Sequence, residues 1–350
     1  MSVISNIFGS FFSLKKELAM DLGTANTVII SDGEIVVDEP SVVAIDPRSK
    51  TMVEVGAKAK LMYEKAATDK VRVLRPLRNG VIADFDACEH MMRGLIAKVK
   101  TGHHLFSPSI RMVIGVPSGS TEVELRAVRD SAEHAGGRDV YMLYEPMAAA
   151  IGAGLPVYEA TGSMVVDIGG GTTEIAVISL GGIVADKSIR VAGNAFTEDI
   201  MEYMFRQHNL KIGEPTAEKI KTTVGAALPD LGDDAPEDMH VHGSNRITSL
   251  PMEVPVSYQE IAHCLDKSIL KLENAIMAAL EDTPPELYAD LLKNGVWLSG
   301  GGAQMHGLAK RFSDRIQIEF KVAEDPLHAV ARGTGTALNN IERFRFLNKM

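Results

Sequence analysis

Short apolar runs separated by turn residues make up most of the chain, and their period changes several times between two and about 3.6 residues. In residues 18–45 the turns Ser31-Asp32-Gly33 and Asp38-Glu39-Pro40 separate such runs, which predicts a meander of strands. Further strands are predicted at 111–116, at 141–144, within 164–191 and at 295–298. Helical spacing predicts helices at 56–62, 86–99, 121–135, 147–151, 195–208, 216–226, 257–281 and 285–293. Strands and helices alternate in both halves, so the predicted class is α/β with two similar domains.

The first fourteen residues form a separate amphipathic segment. At about 100° per residue, one half of a helix carries Val3, Ile4, Ile7, Phe8, Phe11, Phe12 and Leu14. Serine, asparagine and glycine occupy the other half, and Lys15 and Lys16 follow. A helix of this kind either packs on the domain or lies in a membrane interface. The segment therefore has two interpretations at this point.

One loop pattern occurs twice in the chain. Residues 21–27 (Asp-Leu-Gly-Thr-Ala-Asn-Thr) and 167–173 (Asp-Ile-Gly-Gly-Gly-Thr-Thr) each join two apolar runs. A hairpin of this composition presents N–H groups and hydroxyls to an anion, and its leading aspartate can hold a cation. Two such hairpins that face each other would bind a metal-bound polyphosphate. The repeat predicts that Asp21 and Asp167 hold Mg²⁺, largely through its waters; the alternative is that both are only turn residues.

Three further segments can contribute to a nucleotide site. The predicted strand 295–298 leads to Gly300-Gly301-Gly302, where the backbone can approach a planar ring or a phosphate. Glu218 lies on a helix with a predicted Thr216 cap, and its carboxylate either binds ribose hydroxyls or simply faces solvent. Glu145 follows an apolar strand and precedes Pro146, at a predicted helix start. A carboxylate there can orient a water beside a γ-phosphate, and its alternative role is a helix N-cap.

Composition narrows the class of protein. The 350 residues suffice for two domains of ordinary size. The net charge of −10 argues against a nucleic-acid-binding surface, and the acidic stretch 229–245 is predicted to be a solvated loop. Two distant cysteines, Cys88 and Cys264, favour a reducing cytosol over a disulfide framework. No apolar run approaches the roughly 18–20 residues that a membrane span needs.

The motifs resemble those of the actin-like ATPase superfamily, and within it the bacterial actin family MreB. The stretches that carry the resemblance are 21–27, 79–85, 116–119, 145–156, 162–174, 284–287 and 298–303. The likeness runs from about residue 18 to residue 337, and the run 145–156 resembles MreB more than the superfamily at large. The resemblance implies an α/β fold of two duplicated actin-like (ribonuclease H-like) cores in two domains. These comprise four subdomains with a nucleotide cleft between the domains.

The resemblance also implies domain boundaries and a cellular role. The implied parts are an amphipathic membrane helix at 1–16, subdomain IA at 17–44, 78–157 and 326–350, IB at 45–77, IIA at 158–193 and 259–325, and IIB at 194–258. It implies a cytoskeletal ATPase that uses ATP and Mg²⁺ and polymerises into antiparallel double protofilaments on the inner face of the cytoplasmic membrane. There it would organise cell-wall synthesis and maintain rod shape, with RodZ and cell-wall elongation proteins as partners and no nucleic acid.

Individual roles are implied by the same resemblance. Glu145, Asp167 and Thr172 would serve catalysis, with Glu145 and Thr172 positioning the water, and Asp21 and Asp167 would hold the metal. The implied nucleotide-binding residues are Gly23, Thr24, Ala25, Asn26, Gly169, Gly170, Gly171, Thr172, Thr173, Glu218, Lys219, Ile220, Lys221, Gly300, Gly301, Gly302, Ala303 and Gln304. Gln304 departs from the aliphatic residue common at its position, which alters the packing expected on the adenine side.

Membrane contact is expected at residues 1–14 and at Leu105 and Phe106, which interrupt a polar turn. Full burial of such side chains contributes roughly 1.5–3 kcal/mol each, so one monomer would bind reversibly and a filament with many anchors would hold. Two alternatives remain. A sugar or acetate kinase of the same superfamily would need an acceptor site in the cleft, and a membrane scaffold would bind nucleotide without turning it over. A DnaK-type chaperone needs a peptide-binding domain that 350 residues cannot hold.

Overall fold

The structure is a computed structural model that describes residues 15–65, 71–99, 109–344 and 347. The predicted amphipathic helix over 1–14, the turn that contains Leu105 and Phe106, and residues 345, 346 and 348–350 of the C-terminal segment lie outside the described residues. The first strand begins at Lys15, so the last two residues of the segment predicted as helix 1–16 belong to a strand.

Eighteen strands are found in the described part of the chain. They are β1 Lys15–Leu22, β2 Asn26–Ser31, β3 Glu34–Pro40, β4 Val43–Ile45, β5 Met52–Val55, β6 Arg72–Leu74, β7 Leu77–Arg78, β8 Val81–Ile82, β9 Ser109–Val116, β10 Gly137–Tyr144, β11 Ser163–Ile168, β12 Thr173–Ser179, β13 Gly182–Ile189, β14 Leu210–Lys211, β15 Met239–Asn245, β16 Pro251–Val256, β17 Val296–Ser299 and β18 Phe320–Val322.

Ten α-helices and three short 3₁₀ helices accompany the strands within the same residues. The α-helices are α1 Ala57–Lys65, α2 Phe85–Lys98, α3 Glu122–His134, α4 Glu145–Gly152, α5 Gly193–Gln207, α6 Glu214–Val224, α7 Tyr258–Glu281, α8 Pro285–Asn294, α9 Leu308–Ile316 and α10 Ala329–Leu338. The 3₁₀ helices are Gly232–Asp234, Gly301–Gln304 and Pro326–His328. Mixed sheets with helices confirm the predicted α/β class.

Two five-stranded sheets have the same topology. The first has the order β3-β2-β1-β9-β10, and the second has the order β13-β12-β11-β17-β18. In each sheet the first three strands pair antiparallel, and the last two are added in parallel. The hairpin β1–β2 therefore corresponds to the hairpin β11–β12. We call the elements around the first sheet the first lobe and those around the second sheet the second lobe.

Each lobe has its own hydrophobic core, and a third core joins them. The joining cluster contains residues of both sheets, such as Ala19 of the first and Val165 of the second, together with helices α4 and α10. These two helices approach each other closely: a Cβ added to Gly333 would lie 1.8 Å from the carbonyl oxygen of Ala148. Only glycine permits this contact. Helix α4 also contacts strands of both sheets, so it lies between the lobes.

Local sequence explains the burial of the central strands and where several helices begin. β11 and β12 are buried along their whole length, as expected for central strands covered on both faces. Helix α3 begins with a capping box between Thr121 and Glu124, and α7 begins with one between Ser257 and Glu260. No helix in the described part of the chain is long and apolar enough to cross a membrane.

Three local predictions were wrong. The stretch 229–245 is not one loop, because Val241 is buried in the middle of β15 while the polar residues beside it face outward. Helix α6 begins at Glu214 after a Gly213 N-cap, so Thr216 is not its cap; Pro215 fits the first turn, where its missing N–H costs nothing. Strand β10 begins at Gly137, four residues before the predicted start.

Candidate functional site

A cavity of about 640 Å³ lies between the lobes and brings the two repeated hairpins together. Most of the predicted site residues line it: Asp21, Gly23, Thr24, Ala25, Asn26, Glu145, Asp167, Gly169, Gly170, Gly171, Thr172, Glu218, Lys221, Gly300, Gly301, Gly302 and Gln304. Residues from both lobes and from five separate stretches of the sequence thus share one space. A nucleotide with several phosphates needs such an arrangement, because different segments must contact its phosphates and its nucleoside.

The two hairpins approach each other closely enough to exclude side chains. A Cβ added to Gly170 would lie 2.6 Å from the Cβ of Ala25, and one added to Gly171 would lie 2.7 Å from Thr24 Oγ1. The same hydroxyl accepts a 2.9 Å hydrogen bond from the backbone N–H of Gly80, which fixes the first hairpin. The glycines of the second hairpin are therefore needed for the approach of the backbone and not only for the turn.

Two aspartates occupy equivalent positions in the duplicated sheets. Asp21, on β1, lies beside Gly115 of the parallel strand β9, and Asp167, on β11, lies beside Ser299 of β17. Asp167 is buried and its Oδ1 accepts a 2.7 Å hydrogen bond from Ser299 Oγ, whereas Asp21 is half-buried in the cavity wall. The Gly300 loop thus begins directly beside one of the proposed metal-binding carboxylates.

The carboxylates of the cavity are held in an environment that disfavours their charge. Burial, reinforced by the neighbouring charge of Asp167, raises the pKa of Asp21 to about 7. Burial raises the pKa of Asp167 to about 6, although the Ser299 hydrogen bond opposes the change. Burial also raises the pKa of Glu145 well above its usual range, and the charges of Glu174, Asp21 and Asp167 raise it further. A bound cation would relieve this accumulation of negative charge.

Glu145 is the first residue of α4 and not its N-cap. The N-cap is Tyr144, which makes no side-chain capping bond, and Pro146 follows in the first turn. The alternative interpretation of Glu145 as an N-cap is therefore wrong. Its carboxylate lines the cavity in the company of both aspartates, at the N-terminal end of a helix, where a negative charge is favoured by the helix dipole.

The face of α6 that carries Glu218 and Lys221 is a hydrogen-bonded part of the cavity wall. Lys221 Nζ donates to Glu218 Oε2 at 2.7 Å and to the Gly193 carbonyl at 2.9 Å. Thr197 Oγ1 also donates to Glu218 Oε2, at 2.7 Å. These two residues are therefore bonded into the cavity wall, although the Glu218 side chain is still partly exposed to solvent. The network fixes the carboxylate beside the start of α5.

Four predicted ligand residues do not line the cavity. Thr173 is buried and donates a 2.7 Å hydrogen bond from Oγ1 to the Val191 carbonyl. Ile220 and Ala303 are buried in the core of the second lobe, and Lys219 is exposed on the other side of α6. Their neighbours in sequence line the cavity, but each of these side chains points elsewhere because helix and strand periodicity turns it away.

The sequence analysis missed several residues of the cavity wall. Gly193 and Asn194, at the start of α5, donate backbone hydrogen bonds to the carbonyls of Gly169 and Gly170 at 3.0 and 2.8 Å. They brace the second hairpin from behind, and no local motif marks them. Arg75 of the first lobe forms an ion pair with Glu214 of the second lobe at the cavity wall, which only the folded chain reveals.

Comparison with known proteins accounts for this arrangement. A family model described as MreB/Mbl protein matches residues 15–345. The chain belongs to the MreB/Mbl family. Cell shape-determining protein MreB of Escherichia coli (strain K12) is 46% identical over 340 residues, which cover 96% of each chain. This membership identifies a shape-determining protein of the bacterial cytoskeleton and confirms the predicted resemblance.

Two solved structures have the same fold as this chain. The crystal structure of MreB5 of Spiroplasma citri bound to AMPPNP matches with a TM-score of 0.87 and 34% identity, covering 94% of this chain and 97% of that one. A MamK double helical filament matches with a TM-score of 0.77 over 94% of this chain and 99% of that one. At 20% identity the second likeness shows the fold alone. The predicted actin-like fold is thereby confirmed.

Proposed function

We propose that the protein binds ATP with Mg²⁺ in the cavity between the lobes and hydrolyses it to ADP and phosphate. The observation that carries the proposal is the meeting of the duplicated hairpins, with an aspartate at the start of each and Glu145 on the same wall. Glu218 and Lys221 are proposed to contact the ribose, and the Gly300 loop the adenine. The AMPPNP-bound MreB5 of Spiroplasma citri supports the choice of nucleotide.

The residues present fit a magnesium ion. Asp21 and Asp167 both have raised pKa values, and the charge of Asp167 acts on Asp21, so a cation would stabilise both carboxylates. In the described residues no group of three His, Cys, Asp or Glu side chains is arranged as a metal site. Two carboxylates suit Mg²⁺, which keeps several waters and takes its remaining ligands from phosphate oxygens. When bound, Mg²⁺ would neutralise charge on the β- and γ-phosphates.

Glu145 is proposed to orient the attacking water together with Thr172. The two residues belong to different lobes, so the water would be held only when the lobes are placed as in this structure. The raised pKa of Glu145 makes its carboxylate a better proton acceptor than an exposed glutamate, provided that it is ionised. Water as the acceptor is also what separates the proposal from a sugar or acetate kinase.

Phosphate release from ATP tests the catalytic part of the proposal. We expect Glu145→Gln to lower the rate by at least about 100-fold, the usual range for a general base, while nucleotide affinity is retained. The matched control is Glu159→Gln, which removes an exposed carboxylate and should leave the rate unchanged. ADP formation that depends on glucose or acetate would instead support a kinase. Equal rates for both variants would contradict the role of Glu145.

We further propose that the protein polymerises with ATP into antiparallel double protofilaments on the inner face of the cytoplasmic membrane. Residues 1–14, Leu105 and Phe106 would supply the membrane contact. In this role the protein would organise cell-wall synthesis and maintain rod shape, with RodZ and the cell-wall elongation proteins as partners. The four-subdomain division inferred from the resemblance remains part of this proposal. Membership of the MreB/Mbl family supports it.

Sedimentation separates the two parts of the filament proposal. We expect the protein to pellet with ATP but not with ADP. When anionic liposomes are added together with ATP, we expect it to co-sediment with them. Deleting 1–14 and changing Leu105 and Phe106 to Ser should abolish liposome binding and spare polymerisation. A variant that still binds liposomes would refute these anchors, and a wild-type protein that never pellets would refute the filament.

A further inference from the structure

Glu174 is a buried acidic residue that the proposed reaction does not use directly. It is the second residue of β12, its side chain has no exposed surface, and it does not line the cavity. Its hydrogen-bond partners in the described residues are two serines, with no cation among them. Burial raises its pKa and these hydrogen bonds oppose the change. A buried carboxylate of this kind is costly and suggests a specific role.

The two serines belong to different lobes. Ser118, in the turn after β9 in the first lobe, donates to Glu174 Oε2 from its backbone N–H at 3.1 Å and from its Oγ at 2.8 Å. Ser188, on β13 in the second lobe, donates from its Oγ to Oε1 at 2.7 Å. The neighbouring Gly119 packs on the same strand, since a Cβ added there would lie 3.2 Å from Ser188 Cβ. A single carboxylate thus joins the lobes.

This link lies next to both residues proposed to hold the water. Strands β9 and β10 are paired so that Val116 lies opposite Tyr144, which directly precedes Glu145. Ser118 follows Val116 by two residues, so the turn is attached to the strand end that presents Glu145. In the second lobe, Glu174 follows Thr172 by two residues. The Ser118–Glu174 bonds therefore connect the backbones that carry the two groups.

We propose that Glu174 is a positioning residue for hydrolysis: it fixes the Ser118 turn of the first lobe to the second lobe and so sets how Glu145 faces Thr172. The inference rests on the proposed hydrolytic function and adds a residue that the cavity wall does not reveal. A carboxylate suits the task because its two oxygens accept bonds from both lobes at once. Misplacement of a reacting group by about 1 Å can lower a rate by about 100-fold.

A matched pair of serine variants tests the link. Ser118→Ala and Ser188→Ala each remove one hydroxyl donor from the same carboxylate, but only the first removes a bond between the lobes. We expect Ser118→Ala to lower kcat for phosphate release by about tenfold and Ser188→Ala by about twofold or less, with KM changed little in both. A purely structural role for Glu174 would make the two variants alike.

Two variants of Glu174 itself complete the test. Glu174→Ala removes the link and should lower kcat at least as much as Ser118→Ala. Glu174→Gln keeps the shape and can still accept from the Ser118 N–H and donate to Ser188 Oγ, so it should restore most of the lost rate. Thermal unfolding checks that each variant is folded. If Glu174→Ala fails to fold, the serine pair and Glu174→Gln still decide.

The outcomes separate this inference from the proposed function. Wild-type protein that releases no phosphate from ATP would overturn both. Wild-type turnover with equal kcat in the two serine variants, or loss of nucleotide affinity in place of kcat, would overturn only the positioning role. A selective kcat loss in Ser118→Ala, with rescue by the Gln variant, would support it.

Discussion

Replacing Asp21 by Asn should stabilise the ligand-free protein while preventing magnesium-dependent nucleotide binding. The structure raises the pKa of Asp21 from 3.8 to about 7, chiefly by burial and then by the charge of Asp167. At a pH between these two pKa values, Asp21 is protonated in the native state and ionised in the unfolded state. Stability of the wild type therefore falls as pH rises through this window and becomes level above about pH 7. Asn does not titrate, so the variant escapes this loss.

The size of the effect follows from the same two pKa values. At about 1.4 kcal/mol per pH unit, full ionisation of Asp21 costs the native state on the order of 4 kcal/mol. Its side chain faces the cavity and is partly hydrated, so this figure is an upper limit. Between pH 5 and pH 8 the free energy of unfolding of Asp21→Asn, relative to that of the wild type, should grow by about 2–3 kcal/mol.

Urea unfolding of nucleotide-free protein at pH 5, 6, 7 and 8 measures this advantage. Asp314→Asn is the control, because it removes an exposed carboxylate that does not line the cavity and should change the free energy of unfolding little. With Mg²⁺ and ATP present the wild type should become more stable than Asp21→Asn, since only the wild type gains the free energy of nucleotide binding. A constant difference between Asp21→Asn and wild type across the pH range would refute the reasoning.

Three other predictions concern the packing and the cavity. Gly333→Ala should destabilise the fold by about 3 kcal/mol or more in urea unfolding, because the new Cβ would lie 1.8 Å from a carbonyl oxygen of the facing helix. Arg75→Ala removes the ion pair with Glu214; since both side chains are partly exposed, nucleotide release in stopped-flow should quicken by no more than about fivefold. Ser299→Ala removes a hydrogen bond that lowers the pKa of Asp167, so magnesium-dependent nucleotide binding should weaken more at pH 6.5 than at pH 8.

The hairpins and most helices could be predicted because their signals are local. Each hairpin has its aspartate, glycines and threonines within seven residues, and the turn chemistry and the flanking apolar runs determine its form. The Thr121 cap and the buried run of β12 are equally visible in the sequence. The duplication of the hairpin also predicted two related sheets. The common strand order of the two sheets agrees with that expectation.

Predictions failed where the outcome depends on distant partners. Within the polar stretch 229–245, both neighbours of Val241 face outward, and the strand over 239–245 pairs with β14 and β16, which are distant in sequence or follow it. Arg75 and Glu174 have no motif of their own; each gains its meaning from a residue of the other lobe. Thr173 was assigned to the ligand from its place in the motif, yet strand alternation turns it inward.

Under the proposed function, the same contacts would let the cavity report its contents to the rest of the molecule. Asp21 belongs to the first lobe and Asp167 to the second, and each is less stable when charged. Without a cation, the two charges would oppose the close approach of the lobes; a cation bound as proposed would let both carboxylates favour it. Helix α4, which begins at Glu145 and packs between the lobes, would be shifted by such a movement. A metal-bound nucleotide would therefore change the relative free energy of the lobe positions, and a surface that spans both lobes would sense the change.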